Sequence, residues 1–142
     1  MRKTLITIIG FLLFAGLILL LAYYKDYRLM KNFGTDRAII TGLGNSRNSG
    51  GRIFLKYKFV LKNRVYHGNT SFSCNRSAEK EVANYMIGKE VVVVYQSTKP
   101  TNSEILLNKT DFPKYRFQPT KADSLALSTL CSLCRKKEKC DW

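Results

Sequence analysis

The sequence predicts a mainly β domain with one helix, held at a membrane by an N-terminal transmembrane helix. Three observations lead to this prediction: an uncharged apolar run near the N-terminus, alternation of apolar and basic residues from Ile53 to Leu61, and four consecutive valines between Glu90 and Tyr95. With 142 residues, the chain has room for one small domain and an appendage, which excludes large multidomain enzymes.

The apolar run extends without a charge from Thr4 to Tyr24. As a helix it measures about 30 Å, which matches the hydrocarbon core of a bilayer. A cleaved signal peptide is the alternative, because the basic residues Arg2 and Lys3 precede the run. The run is longer than a signal-peptide core and has no small-residue cleavage site, so it favours an uncleaved single-pass anchor over residues 4–24.

The chain carries 24 Lys and Arg against 10 Asp and Glu, and every basic residue except Arg2 and Lys3 follows the anchor. Because several of them lie just after the anchor, the positive-inside rule places the rest of the chain in the cytoplasm. The short basic N-terminal tail instead suits an exported signal anchor. The two signals disagree, and the side of the membrane stays undecided.

Composition divides the chain into four parts. These are a transmembrane anchor (1–24), a charged juxtamembrane linker (25–36), a small β-rich domain (37–117) and a basic tail that contains cysteines (118–142). The domain opens with a short apolar strand over residues 38–41 and a glycine-rich loop over residues 42–51. The loop lacks the Lys-Ser/Thr ending of a phosphate-binding loop, which favours a hairpin connection.

The clearest strand covers residues 53–61. Its odd-numbered residues are apolar and predict a buried face, whereas Lys56, Lys58 and Lys62 predict a basic outer face. Asn tolerates positive φ, so Lys62 and Asn63 predict a tight turn, after which the chain returns as the second arm of a hairpin.

Two further strands and one helix complete the predicted domain. The valines of residues 90–95 suit a strand buried on both faces, and residues 103–107 give a short closing strand. Ser77 is the predicted N-cap of a helix that ends at Gly88. The apolar stripe of this helix consists of Val82, Tyr85 and Met86. The sequence thus predicts an antiparallel sheet or partly open barrel of about five strands, crossed by one helix.

Four short motifs follow one another between residues 37 and 107. They are Tyr57-x-Phe59, Asn63-x-x-Tyr66-x-Gly68, Gly88-Lys89-x-Val91-x-Val93-x-Tyr95 and Pro100-x-x-Ser103-x-x-Leu106. In this order and spacing they resemble the domain-of-unknown-function family 3592. Gln96-Ser97 stands where that family has Asp-Pro, Asn63 replaces the hairpin glycine, and no second apolar run follows. The resemblance implies a membrane-tethered β-domain, with no established catalytic residues to carry over.

The sequence offers no catalytic constellation. His67 is the only histidine, no partner for it can be named, and the acidic residues are scattered. A general base needs a positioned partner, and a nucleophile needs that base within hydrogen-bond reach. We therefore expect a non-enzymatic protein in which His67 is a half-exposed strand residue.

The four cysteines are the most distinctive chemical feature. Cys131 and Cys134 form a C-x-x-C motif, Cys140 follows it, and Cys74 could supply a fourth thiolate to a zinc site. A typical zinc site would show two such pairs, and a thioredoxin-like role would need a βαβ context. We expect disulfides or free thiols and no bound cofactor. Disulfides are expected only if the domain faces an oxidising compartment.

The tail predicts a short amphipathic helix after Pro119 that ends in a basic cluster. Its apolar residues are Ala122, Leu125, Ala126, Leu130 and Leu133, and the cluster consists of Arg135, Lys136 and Lys137. The helix either packs on the domain or lies at lipid headgroups with its basic end on anionic lipid.

The function that these features favour is that of a membrane protein whose β-domain binds a protein partner or an anionic lipid surface. The candidate contact residues are Lys56, Lys58, Lys62, Arg135, Lys136 and Lys137. Nucleic-acid binding is disfavoured, because Tyr57 and Phe59 alternate away from the lysines. A small bacterial toxin-immunity protein acting at the membrane is the alternative, and a metal or redox role of the C-x-x-C motif is the third.

Overall fold

The structure, a computed structural model, describes residues 13–21, 23–24, 27, 32–44 and 51–134. The strands of its domain are β1 (Phe33–Gly44), β2 (Arg52–Leu61), β3 (Arg64–Ser73), β4 (Glu90–Gln96) and β5 (Lys99–Ile105). The helices are α1 (Glu79–Met86), α2 (Asp111–Lys114) and α3 (Lys121–Cys134), and a 3-10 turn over Arg76–Ala78 precedes α1.

In the strand order β3-β2-β1-β4-β5, β1 is the central strand of an antiparallel sheet. The first half of β1 pairs with β4 and its second half with β2, and Ala38 lies opposite both Val91 and Phe59. A register shift between Ile40 and Gly42 marks a bulge, and a bulge bends its strand. The bend lets one long strand belong to two ladders. The predicted strand over residues 38–41 is therefore only the middle of β1.

The edge strands β3 and β5 approach each other, so the sheet curls into a nearly closed barrel. The amide of Ile105 donates to Thr70 Oγ1 at 3.4 Å, and the Tyr57 hydroxyl lies 3.1 Å from Ser103 Oγ. The prediction of a small antiparallel sheet or barrel is confirmed. The domain is thus a nearly closed antiparallel sheet of five strands, with a helix between β3 and β4.

The barrel interior is filled by alternate residues of β2. The inward residues Ile53, Leu55, Tyr57 and Phe59 are at most 2% exposed. Lys56 and Lys58 alternate with them and are exposed, as predicted. Lys62 and Asn63 form the predicted turn with φ angles of 50° and 61°, which suit a two-residue hairpin loop.

The valine strand β4 is buried on both faces, as predicted. All four valines, Val91 to Val94, are at most 3% exposed. Val91 shares the inner face with Ala38, whereas Val92 lies opposite Arg37 on the other face. Arg37 binds Asp123 of α3, which places α3 over this outer side of β4.

Helix α1 packs on the barrel through Val82 and Met86, both fully buried, and the chain leaves it through Gly88 at φ +82°. The predicted N-cap is wrong. Ser77 lies inside the 3-10 turn, which the Ala78 amide closes by donating to the Asn75 carbonyl at 3.0 Å. Ala78 therefore occupies the N-cap position, without a side-chain hydrogen bond.

The tail helix exists as α3 and packs on the domain, but only part of its predicted apolar stripe is correct: Leu130 and Leu133 face the core, whereas Ala122 and Leu125 are exposed. Leu125 is 68% exposed. The buried residues of α3 are Asp123, Leu127, Leu130 and Cys134. The ion pair of Asp123 with Arg37 and the disulfide of Cys134 with Cys74 fix the rotation of the helix, and this rotation leaves Leu125 exposed.

Residues 13–21 are helical, and their large apolar side chains are exposed. Within the described ranges, no helix has both the length and the apolar character needed to cross a membrane. Several sequence predictions lie outside the described residues: residues 4–12 and 22 of the predicted span, loop residues 45–50, and Arg135, Lys136, Lys137 and Cys140.

Candidate functional site

The candidate site is the exposed outer face of β1, β2 and β3. In the sheet register, Lys58 lies between Ile39 of β1 and His67 of β3. Lys56 occupies the same face two residues earlier, between Gly42 and Asn69. We call this surface the basic face, and it consists of Ile39, Gly42, Lys56, Lys58, His67 and Asn69.

The lysines of the basic face form no ion pair within the part of the chain that the structure describes. Every outward residue of β2 and β3 is basic, neutral polar or apolar. Within the described ranges, neither Lys56 nor Lys58 forms an ion pair. The nearest acid in the ladder is Glu90 of β4, which lies opposite Ile39 at the border of the face. An uncompensated patch of this kind attracts anionic groups.

The third predicted lysine, Lys62, lies in the turn and not on the face. Beside the turn, Val60 and Val65 lie directly opposite each other and are 56% and 55% exposed. Arg64 follows the turn and is exposed. We call Val60, Lys62, Arg64 and Val65 the hairpin tip. The structure therefore separates the predicted lysines into two surfaces.

The aromatic residues of β2 belong to the core. Phe59 stacks with Tyr66 and Tyr95, at ring-centroid distances of 5.4 and 5.5 Å. Tyr57 is fully buried, and this burial raises the pKa of its hydroxyl. Its ring covers Gly68, where an added Cβ would lie 2.4 Å from Tyr57 Cζ. Tyr57 and Phe59 are thus inaccessible for stacking on nucleotide bases.

Two of the cysteines form a disulfide that joins β3 to α3, and the sequence alone did not predict this pairing. Cys74, at the end of β3, is bonded to Cys134, at the end of α3, and both are buried. Cys131 is also disulfide-bonded, so the two cysteines of the C-x-x-C motif are not bonded to each other. Sulfur atoms in a disulfide are not the thiolates that zinc requires. Among the described residues, no three His, Cys, Asp or Glu are grouped to hold a metal ion.

A groove of about 540 Å³ lies at the seam between β3 and β5, where the barrel is incompletely closed. Its wall contains two carboxylates that already have partners. Tyr115 donates its hydroxyl to Glu104 Oε1 at 2.6 Å, and Lys114 Nζ lies 2.9 Å from Asp111 Oδ1. Because both carboxylates already bind neighbouring side chains of the wall, we consider the groove a weaker candidate for a binding site than the basic face. Periodicity cannot reveal it, because two edge strands distant in sequence form it.

The ion pair between Arg37 and Asp123 is structural. Asp123 is 5% exposed, and its Oδ2 accepts hydrogen bonds from the amide and the hydroxyl of Thr120 at 2.9 and 2.7 Å. Burial alone would raise the pKa of Asp123. The hydrogen bonds from Arg37 and Thr120 outweigh burial and hold this pKa below its usual value. The pair fixes the start of α3 to β1.

Comparisons of the chain with known protein families, characterised proteins and solved structures found no match in any of the three. The resemblance to family 3592 therefore stays a prediction that rests on its motifs. Two residues of those motifs, Tyr57 and Gly68, lie opposite each other in the ladder between β2 and β3. This pairing places the ring of Tyr57 over Gly68, so these two motif residues contribute to the packing of the barrel.

Proposed function

We propose that the chain is a non-enzymatic, single-pass membrane protein whose barrel domain binds an acidic protein partner through the basic face. The observation that carries this proposal is the exposed sheet face on which Lys56 and Lys58 form no ion pair with any described residue. Beside them, Ile39 is 39% exposed and offers apolar contact area. Charge complementarity of this kind steers association and selects partners.

The exposed N-terminal helix supports the membrane anchor. Residues 17–21 are five consecutive apolar residues, each between 52% and 71% exposed. At about 100° per residue they cover every side of the helix, so the domain buries none of its faces. A helix that is apolar all round suits a lipid environment, and we propose that it belongs to a span over residues 4–24.

The disulfides support one orientation of the chain. Cys74 and Cys134 are bonded, and Cys131 is oxidised as well. Disulfides persist in oxidising compartments and are rare in the cytosol. We therefore place the barrel on the oxidising side of the membrane. This orientation agrees with the short basic N-terminal tail rather than with the positive-inside count.

The binding test uses full-length protein in detergent, with a fluorescent polyglutamate peptide as a stand-in for an acidic partner surface. The face variant is Lys56→Glu with Lys58→Glu. The control variant is Lys80→Glu with Lys109→Glu, which changes the net charge equally at exposed residues outside the face. We expect the face variant to weaken binding at least about ten-fold and the control less than about two-fold. Equal weakening by both variants would refute the basic face as the site.

The anchor and the orientation have separate tests. Full-length chain should stay in the membrane during carbonate extraction, and a soluble product that begins after Ala22 would exclude the anchor. A membrane-impermeant thiol reagent applied to intact cells should label the protein only after prior reduction. Labelling that requires cell lysis would place the domain on the other side.

A further inference from the structure

We propose that the hairpin tip docks on anionic headgroups of the bilayer that holds the anchor. This inference rests on the proposed anchor and adds a second, lipid-binding surface to the domain. It concerns the end of the barrel, whereas the basic face lies on its side.

The sheet register places the tip at the end where the chain enters the barrel. Strand β1 begins at Phe33, which lies opposite Gln96 just before the β4–β5 turn. Ala38 lies opposite Phe59, and β2 continues from there to the turn that starts at Lys62. Followed back along β1, that turn is level with Thr35. Both hairpin turns and the start of β1 therefore lie at one end.

The linker is too short to hold this end far from the membrane. Eight residues separate Tyr24, at the end of the predicted span, from Phe33. Fully extended, they reach at most about 29 Å. The tip lies one strand away from β1, about 5 Å across the sheet, so it shares this restraint.

The chemistry of this end fits an anionic bilayer surface. Lys62 and Arg64 border the exposed pair Val60 and Val65, and exposed Lys99 adds a third cation at the neighbouring turn. In the described part of the chain, Asp36 is the acid at this end. Small apolar side chains settle at the boundary between headgroups and acyl chains, while cations bind the lipid phosphates. Docked in this way, the barrel leaves the basic face free for a protein partner.

The experiment compares full-length protein in two kinds of nanodisc, pure phosphatidylcholine and phosphatidylcholine mixed with phosphatidylglycerol. An impermeant amine-reactive ester labels the lysines, and mass spectrometry gives each labelling rate. We expect labelling of Lys62 and Lys99 to fall at least about five-fold in the anionic discs, and the effect to vanish at high salt. Lys80 and Lys109, which follow the far ends of β3 and β5, should change less than about two-fold.

Charge reversal at the hairpin tip is the second part of the experiment. Lys62→Glu with Arg64→Glu should abolish the protection of Lys99, whereas Lys80→Glu with Lys109→Glu should preserve it. If each lysine is labelled at the same rate in both kinds of nanodisc, in protein that remains in the discs, the docking is overturned and the anchor stays intact. Protection of Lys56 and Lys58 without protection of Lys62 would also overturn it. Loss of the chain from the discs would instead refute the anchor.

Discussion

Replacing Gly68 by alanine should destabilise the barrel, because the ring of Tyr57 occupies the space above it. A Cβ at residue 68 would lie 2.4 Å from both Cζ and the hydroxyl oxygen of Tyr57. The ring is 0% exposed, and its hydroxyl lies 3.1 Å from Ser103 Oγ. To reach an ordinary contact the ring must move by about 1 Å, which strains the packed interior and stretches that hydrogen bond.

The expected cost follows from these two effects. Overpacking a close-packed core costs about 1–3 kcal/mol, and a lost hydrogen bond costs about 1 kcal/mol. Gly68→Ala should therefore lower the free energy of unfolding by about 2–4 kcal/mol. Gly42→Ala is the matched control in β1, because nothing lies within 4 Å of its added Cβ. The control should be neutral or slightly stabilising, since glycine in a strand carries an entropic cost.

Urea unfolding of full-length protein in detergent, followed by near-ultraviolet circular dichroism, measures both changes. A double-mutant cycle with Tyr57→Leu isolates the clash. In that background the space above residue 68 is emptier, and Gly68→Ala should cost less than about 1 kcal/mol. If Gly68→Ala costs the same in both backgrounds, or no more than Gly42→Ala, the reasoning is refuted.

Three further predictions concern the core, the start of α3 and its end. Phe59→Asp should lower the free energy of unfolding by more than about 3 kcal/mol by burying a charge, whereas Lys58→Asp should change it by less than about 0.5 kcal/mol. Equal shifts in melting temperature would disprove the strand register. The pKa of Asp123 is lowered on folding, so its stabilisation is present above an unfolded-state pKa of about 3.9 and is lost as pH falls through the lower folded value. Asp123→Asn should therefore lower the free energy of unfolding by about 2 kcal/mol at neutral pH. This figure is discounted because the Arg37 side chain is 40% exposed and solvent screens the ion pair. The variant should also lose less stability than the parent as the pH falls. An unchanged acid limb in unfolding curves would contradict this. The disulfide closes a sequence separation of 60, so Cys74→Ser with Cys134→Ser should cost about 4 kcal/mol in urea unfolding, and a loss below about 1 kcal/mol would show that another contact fixes α3.

The predictions that held rest on local patterns. The alternation from Ile53 to Phe59 and the Lys62-Asn63 turn define a hairpin without knowledge of the rest of the chain. The valine run of β4 likewise predicts a strand buried on both faces. Each of these signals is contained in about ten residues, and strand periodicity and turn chemistry act at that range.

The features that sequence reasoning missed depend on residues far apart in the chain. Arg37 and Asp123 are ordinary charged residues until the fold brings them together. The partner of Cys134 is Cys74 rather than the nearer Cys131, and spacing alone does not select it. Leu125 fits an apolar stripe in the sequence, yet contacts at both ends of α3 turn it toward solvent. The separation of Lys62 from the basic face also becomes visible only in the register.

The division of β1 between two ladders sets an order of events during synthesis. Its second half can pair as soon as the β2–β3 hairpin has formed, but its first half pairs only with β4. From Phe33 to Gln96 the ribosome must add about 60 residues, which at 5–20 residues per second takes about 3–12 s. During that interval, the first half of β1 has an open edge, which can pair with another chain. Of the two halves of β1, the half that begins at Phe33 is therefore paired last.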